Sequence, residues 1–366
     1  MKKTMLILAA LMALLVLTLT APTQAQEPED TLTVACTVNE DWCIVMTEAF
    51  EEETGIETSF VRRSSGETLA ALIAGADDPE FSVWFGGPSD TYIAAIEEDI
   101  LEPYISPNAA DIPDDKKDAD GYWTGIYIGA LGFCSNAEIL ADLGLEPPTS
   151  WAELLDPALE DNILVAHPAT SGTSFTAFWA NVLRFATDME AEEAGSGFHE
   201  DGEPTDAAVD MGFEFYKEMD SNVLQYTRSG SAPARLVGSG EAAVGIVFNH
   251  DCVQQIFQTF GENLVATFPS EGTGFEVGAV AVVKGGPEPV NARAWVDWVL
   301  TPEAQRIGPF DANNFQLPTN PNAEVHPLAV ALEEVNLVDY DAVIAGGNRS
   351  AISTRFDEEI AVTPEE

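Results

Sequence analysis

Residues 57–90 read ETSFVRRSSGETLAALIAGADDPEFSVWFGGPSD, and the fold turns on how they divide. Residues 57–63 carry Thr58, Phe60 and Val61 and suit a strand. Ser64-Ser65-Gly66-Glu67 then supplies a Ser-x-x-Glu capping box. Behind it Leu69, Leu72 and Ile73 fall on one face of a helix. Residues 81–85 (FSVWF) make a second strand, closed by the turn Gly86-Gly87-Pro88-Ser89-Asp90. Two strands separated by a helix run parallel in one sheet, so this stretch predicts a mostly parallel α/β sheet with helices on its faces.

The alternation continues in both directions. Upstream, residues 31–37 (TLTVACT) are a strand, followed by Trp42, Val45, Met46, Ala49 and Phe50 at helical spacing. Downstream, residues 162–166 and 244–248 are strands that each lead into a helix, the first from about Thr173 to Phe185. Residues 278–283 are a returning strand, and residues 290–301 a helix packed through Trp295, Trp298 and Val299. Residues 190–204 read as a surface excursion and residues 357–366 as a partly loose acidic tail.

The chain has 366 residues, 62 Asp and Glu, 15 Lys and Arg, four His and four Cys. That length fits two lobes, and a hydrophobic share of 46% is enough to fill their cores. A formal net charge of −47 excludes nucleic acid and anionic membrane surfaces as partners, because both are polyanions. At the N-terminus Lys2 and Lys3 precede an apolar run at residues 5–19 and a small-residue segment ending at Ala25. Residues 1–25 are therefore expected to be a signal peptide cleaved before Gln26, which delivers a soluble protein to the periplasm. No later run is apolar enough to span a bilayer. In that oxidising compartment the cysteines are expected as disulfides. Sequence permits other connectivities; the most economical pairs are Cys36–Cys43 and Cys134–Cys252.

Chemistry concentrates where strands hand over to helices, because helix N-termini there expose unpaired N–H groups. Thr37-Val38-Asn39-Glu40-Asp41-Trp42 is one such handover, Arg63-Ser64-Ser65-Gly66-Glu67 another, and Thr170-Ser171-Gly172-Thr173-Ser174 a third. Each taken singly is explained by ordinary N-capping. Two Ser-Gly loops on different lobes, however, are the layout of a cleft that closes on an anion without needing Lys or Arg. Gly87 borders the same cleft by position. Trp42 could stack on a ligand face or belong to the core. Arg62, Arg63 and Arg228 are the cations near enough in sequence to reach a phosphate, although ion pairing on so acidic a surface accounts for each.

The segments TVACTVNEDW (33–42), RRSSGETLA (62–70), FSVWFGGPSDTYIAA (81–95), LEPYISP (101–107), GALGFCSN (129–136), PPTSWAELLDP (147–157), HPATSGTSF (167–175) and GEAAVGIVFNHD (240–251) occur in an order that resembles a known family. It is that of type II periplasmic substrate-binding proteins of ABC importers, in the ferric-iron-binding-like group. The resemblance spans nearly the whole mature chain. It implies a two-lobed α/β fold joined by crossing strands, a receptor rather than an enzyme, and a permease and ATPase on separate chains. It departs at the iron ligands: ferric members carry adjacent tyrosines after the strand that here reads GIVF, where this chain has Asn249-His250-Asp251. That pair is similar to the branch that binds phosphorylated sugars. Carried over, His250 and Asp251 hold sugar hydroxyls, Ser64, Ser65, Ser171, Gly172 and Thr173 hold the phosphate, and Glu271 or Glu276 supplies a further acidic partner.

These readings set the expectations. Lobe one takes residues 27–128 and 274–366, lobe two residues 129–273. The ligand-binding candidates are Thr37, Trp42, Ser64, Ser65, Gly66, Gly87, Ser171, Gly172, Thr173, His250, Asp251, Glu271 and Glu276. The expected ligand is a small phosphorylated molecule, a sugar phosphate or an organophosphonate, bound by a monomer with no metal or cofactor. Ferric ion is the alternative. A secreted hydrolase, using a free Cys252 thiol beside His250, is the distant one.

Overall fold

The computed structural model describes residues 30–364, so the expected signal peptide lies outside the described residues. The strands are β1 (Thr31–Cys36), β2 (Glu57–Arg62), β3 (Val83–Pro88), β4 (Leu101–Glu102), β5 (Thr124–Asn136), β6 (Ile163–Ala166), β7 (Val223–Thr227), β8 (Val244–Phe248), β9 (Leu264–Thr267), β10 (Phe275–Val283) and β11 (Leu317–Pro318). The helices are α1 (Glu40–Thr54), α2 (Ser65–Ala74), α3 (Ser89–Glu97), α4 (Ala137–Leu143), α5 (Gly172–Glu192), α6 (Asp206–Met219), α7 (Ala232–Gly238), α8 (Asn249–Gln255), α9 (Pro289–Val299), α10 (Pro302–Asp311) and α11 (Ala342–Glu359).

The opening stretch folds as its pattern predicts: β1 pairs in parallel with β2 on one side and β3 on the other. In the second sheet β6 lies parallel between β7 and β8. The long strand β5 belongs to both. Its first half pairs antiparallel with β10, which also pairs with β3, and its second half pairs antiparallel with β8 and β9. One continuous extended chain thus crosses from one sheet to the other.

Each sheet buries its own apolar side. Leu32, Val34, Val83, Phe85, Phe50 and Trp295 pack in the first lobe. Phe133, Trp151, Phe175, Phe178, Phe213 and Tyr216 pack in the second. Burial of each such Phe is worth roughly 2 kcal/mol. Both expected disulfides are present, Cys36–Cys43 and Cys134–Cys252. Cys252 is therefore no free nucleophile, and the thiol reading of the hydrolase alternative is corrected.

Other differences from expectation have plain causes. Helix α5 runs to Glu192 rather than stopping near Phe185, because it is buried on most sides from Gly172 to Leu183 and no breaker follows. Residues 357–364 of the acidic tail are docked, not loose. His167 Nε2 lies 2.8 Å from the Ala361 carbonyl, the Thr363 N–H donates to Asp357, and Arg228 donates to the Pro364 carbonyl. Helix α11 also places Ala345, Ile352 and Phe356 in the second lobe's core while Arg349 reaches the first lobe. Among the described residues no helix is long and apolar enough to cross a membrane.

Candidate functional site

Handovers from strand to helix in both sheets meet at one cavity of about 450 Å³, mouth included. Thr37 to Asn39 come from the end of β1, Ser64 and Ser65 from β2–α2, Gly87 and Pro88 from β3–α3, and Ser171 to Thr173 from β6–α5. The geometry is local in origin. Ser64 is the N-cap of α2, and the Glu67 carboxylate accepts from its N–H (3.1 Å) and hydroxyl (2.7 Å), closing the expected box. Gly87 sits at φ +85°, where a side chain is strained and a Cβ would press on Ser65. Gly172 allows the loops of the two lobes to touch: a Cβ there would fall 2.6 Å from Pro88 Cδ and Ser65 Oγ.

The lobes are closed on one another by direct hydrogen bonds. The Gly172 N–H donates to Ser65 Oγ (2.9 Å), and the Gly66 N–H donates to the Thr170 carbonyl (3.0 Å). Asn39 caps α1 by position yet makes no side-chain cap; its Nδ2 donates to Asp251, Gln254 and Asn314 instead. Arg62 donates to the Val38 carbonyl and to Ser229 Oγ across the gap.

The two ends of the cavity differ in chemistry. One end offers the hydroxyls of Ser65 and Thr173 at the starts of α2 and α5, which suit an anion, while the Ser64 N–H and hydroxyl are held by Glu67. The other holds His250, Asp251 and Glu276, all buried. His250 Nδ1 has no hydrogen-bond partner, and Nε2 stands 3.9 Å from both Asp251 Oδ2 and Glu276 Oε1. Burial holds the imidazole below its ordinary pKa, against the pull of Asp251. Burial also pushes the Glu276 carboxyl well above the usual carboxylate range, and Asp251 and Asp90 push it further. Its nearest protein partner is the Tyr127 hydroxyl at 3.5 Å. A neutral imidazole and a protonated acid can donate to or accept from hydroxyl groups. A third polar atom, Gln316 Oε1, also lines this cavity without a partner.

The structure brings together Thr37, Ser64, Ser65, Gly87, Ser171, Gly172, Thr173, His250, Asp251 and Glu276. Three candidates fall elsewhere. Trp42 is core: it packs on Phe85 and Tyr127, and the β1–α1 turn directs it inward. Gly66 is consumed by its bond to Thr170. Glu271 lies on an exposed turn and accepts from Ser150 and Ser270, so Glu276 is the acidic residue at the cavity. Neither Tyr216 nor Tyr226 lines the cavity: Tyr216 is buried in the second core, and Tyr226 donates to Asp220 beside Phe356. No group of three or more His, Cys, Asp or Glu among the described residues is placed to hold a metal ion.

Sequence reasoning missed Asn39, Tyr127, Gly230, Ser231 and Gln316 as lining residues. Ser229-Gly230-Ser231 had the signature of the other loops, lying between β7 and α7. Tyr127 and Gln316 had none, since they arrive on the crossing strand β5 and just ahead of β11.

Comparison with known proteins agrees with this architecture. The periplasmic binding protein AfuA from Actinobacillus pleuropneumoniae, solved with fructose 6-phosphate bound, shares 34% identity and a TM-score of 0.80, covering 90% of this chain and 98% of that one. A probable ABC transporter periplasmic-binding protein of Sinorhizobium fredii is 26% identical over 79% of this chain and 76% of its own length. The apo ferric ion-binding protein A of Pasteurella haemolytica shares the fold alone, with 15% identity and a TM-score of 0.68 over 90% of this chain and 97% of that one. Residues 45–331 match the family described as bacterial extracellular solute-binding protein, and the chain belongs to that family.

Proposed function

We propose that this protein is the periplasmic receptor of an ABC importer and that its cleft takes a small phosphorylated sugar. The observation that carries the reading is the two-ended cavity: the Ser65 and Thr173 hydroxyls at one end, and an unpartnered His250 with Asp251 and Glu276 at the other. The first end suits the phosphate, and the second suits sugar hydroxyls, which both donate and accept. The fructose 6-phosphate bound by AfuA, a relative at 34% identity, supports the same assignment. Lobe one is taken as residues 27–128 and 274–366, lobe two as 129–273, with α11 bridging them. The ligand stabilises the closed form, and a permease on another chain recognises that form and receives the ligand. The mature protein, after loss of residues 1–25, acts as a monomeric carrier.

The test is a thermal-shift screen of the mature protein against fructose 6-phosphate, free fructose, an aminoalkyl phosphonate, inorganic phosphate and ferric citrate. A ligand at about 100 times its Kd stabilises the folded state by roughly 2.7 kcal/mol. Stabilisation by the sugar phosphate but not by free fructose is the expected result. A response to the phosphonate alone would move the assignment to organophosphonates. A response to iron alone would overturn the phosphate reading.

A further inference from the structure

Residues 305–320 carry the buried side-chain amides Gln305, Asn314, Gln316 and Asn320. Asn314 accepts from Asn39 and donates to the Ala312 carbonyl. Gln305 donates to Thr319 and accepts from the Asn320 N–H, while Asn320 donates to the Leu300 carbonyl and accepts from the Asn322 N–H. Each of these is spent on both sides by the fold. Gln316 differs: it is 4% exposed, and its Oε1 is buried with no hydrogen-bond partner. A buried acceptor left unbonded costs stability, because it has lost water and gained nothing in exchange.

Sheet register explains where that acceptor stands. β5 carries β10 along one edge and β11 along the other, for Ile128 pairs with both Val277 and Leu317. Glu276 pairs with Gly129. Carried back one residue from Leu317, the register of β11 brings Gln316 to Gly129 from the opposite edge. Residues in one such row point to one face of the sheet, and Glu276 and Gln316 both line the cavity. Gly129 keeps the floor between them open: a Cβ there would fall 2.7 Å from His250 Nδ1 and 3.5 Å from Glu276 Oε1. His250 Nδ1, also without a partner, thus stands over the same row.

The three groups share one property. A carboxamide, an uncharged imidazole and a protonated carboxyl each offer both a donor and an acceptor. Burial favours the uncharged forms of His250 and Glu276. A hydroxyl also donates and accepts, so it can satisfy any of them. An ammonium can only donate and a phosphate dianion can only accept, so neither matches the set. We propose that Gln316 is a specificity-determining residue of the cleft: its side-chain amide binds a ligand hydroxyl above Gly129, so that the site selects a monophosphorylated polyhydroxy compound over a bisphosphate. This deepens the sugar-phosphate reading and rests on it.

The experiment is calorimetric titration of mature wild type and Gln316→Met with fructose 6-phosphate, fructose 1,6-bisphosphate and ethyl phosphate, together with urea unfolding of both free proteins. Met keeps the length of Gln and removes its hydrogen-bonding groups. Gln316→Met is expected to raise the Kd for fructose 6-phosphate about ten-fold. The Kd for ethyl phosphate, which has the anion and no hydroxyl chain, should be unchanged. The urea midpoint of the variant should stay level or rise, since no unpaired acceptor is then buried. Wild type should bind the bisphosphate more weakly than fructose 6-phosphate. Unchanged affinity for fructose 6-phosphate in the variant would overturn the role of Gln316 while leaving the ligand assignment intact. An equal loss on ethyl phosphate, or a lower urea midpoint, would overturn it too, because Gln316 would then hold the fold and not read the ligand. Equal binding of the bisphosphate would overturn the selectivity. Wild type that binds no sugar phosphate would defeat the ligand reading itself and this assignment with it.

Discussion

Asp90 and Glu276 are carboxylates on adjoining elements, 1% and 4% exposed, and the protein surrounds them in opposite ways. Asp90 opens α3 and is bound on both oxygens: Arg349 Nη1 donates at 2.9 Å, the Tyr340 hydroxyl at 2.9 Å, and Thr91 at 3.2 Å. Arg349 in turn lies over Phe175 and donates to the Pro168 carbonyl, so the pair ties α3, α11 and the second lobe together. Among the described residues Glu276 has no cation in an ion pair with it; the Tyr127 hydroxyl stands at 3.5 Å and the His250 imidazole at 3.9 Å. Burial raises both pKa values, but only Asp90 has Arg349 pulling its pKa back down. A buried acid that is fully paired ties elements together, whereas one without a counter-charge beside a cavity is open to a partner that enters it.

Variants at the two places should therefore behave differently. The largest effect is expected from Arg349→Met, which strands Asp90 without its cation; removing one partner of such a pair costs about 3–5 kcal/mol in urea unfolding. A loss under about 1 kcal/mol would show that the pair does not hold the lobes. Next is Thr173→Val, which keeps the shape and removes one hydroxyl from the anion end. Its expected cost is about 2 kcal/mol of ligand affinity, roughly thirty-fold in Kd by calorimetry, with Tm of the free protein unchanged. Unchanged affinity would place the phosphate elsewhere.

Glu276→Gln tests the unpaired acid and has the opposite sign. Its folded pKa lies above the unfolded value of about 4.3, so folding favours the protonated form. The stability this contributes is present below the unfolded pKa and is lost as pH rises from there through the folded pKa. As pH rises above the unfolded value the wild type should therefore become less stable than Glu276→Gln, with a gap that grows with pH. Urea midpoints across that range check this, and a gap that stays flat with pH would mean the carboxyl is ionised without penalty. Ligand affinity should fall in the same variant. The smallest effect belongs to Trp42→Phe: as a core residue it should shift stability while leaving Kd within about two-fold. A larger loss of affinity would return Trp42 to the site.

Much of the fold was legible because its units are local. Residues 57–90 carry a capping box, an apolar helical stripe and a Gly-Gly pair, each set within a few residues of chain; the structure shows the box and the helix, but Ile73 of the stripe is exposed and β3 runs on through Gly86 and Gly87 to Pro88. The hydroxylated loops were legible for the same reason, and Ser229-Gly230-Ser231 would have joined them under the same rule. Glu271 and Glu276 could not be told apart by type or neighbourhood; one lies on an exposed turn and the other on a buried strand. Trp42 could be read both ways because stacking on a ligand and packing in a core demand the same residue.

The sequence by itself determined the strand–helix alternation, the helix caps and the most economical cysteine pairing. All of these follow from short-range sterics or local hydrogen bonding. Only the tertiary structure decided that Tyr127 and Gln316 line the cavity, that Arg349 closes on Asp90, and that Glu276 pairs with no Lys or Arg among the described residues. Those facts join residues scores of positions apart, and what brings them together is the path of β5 and β10 between two sheets, which no single stretch of the chain encodes.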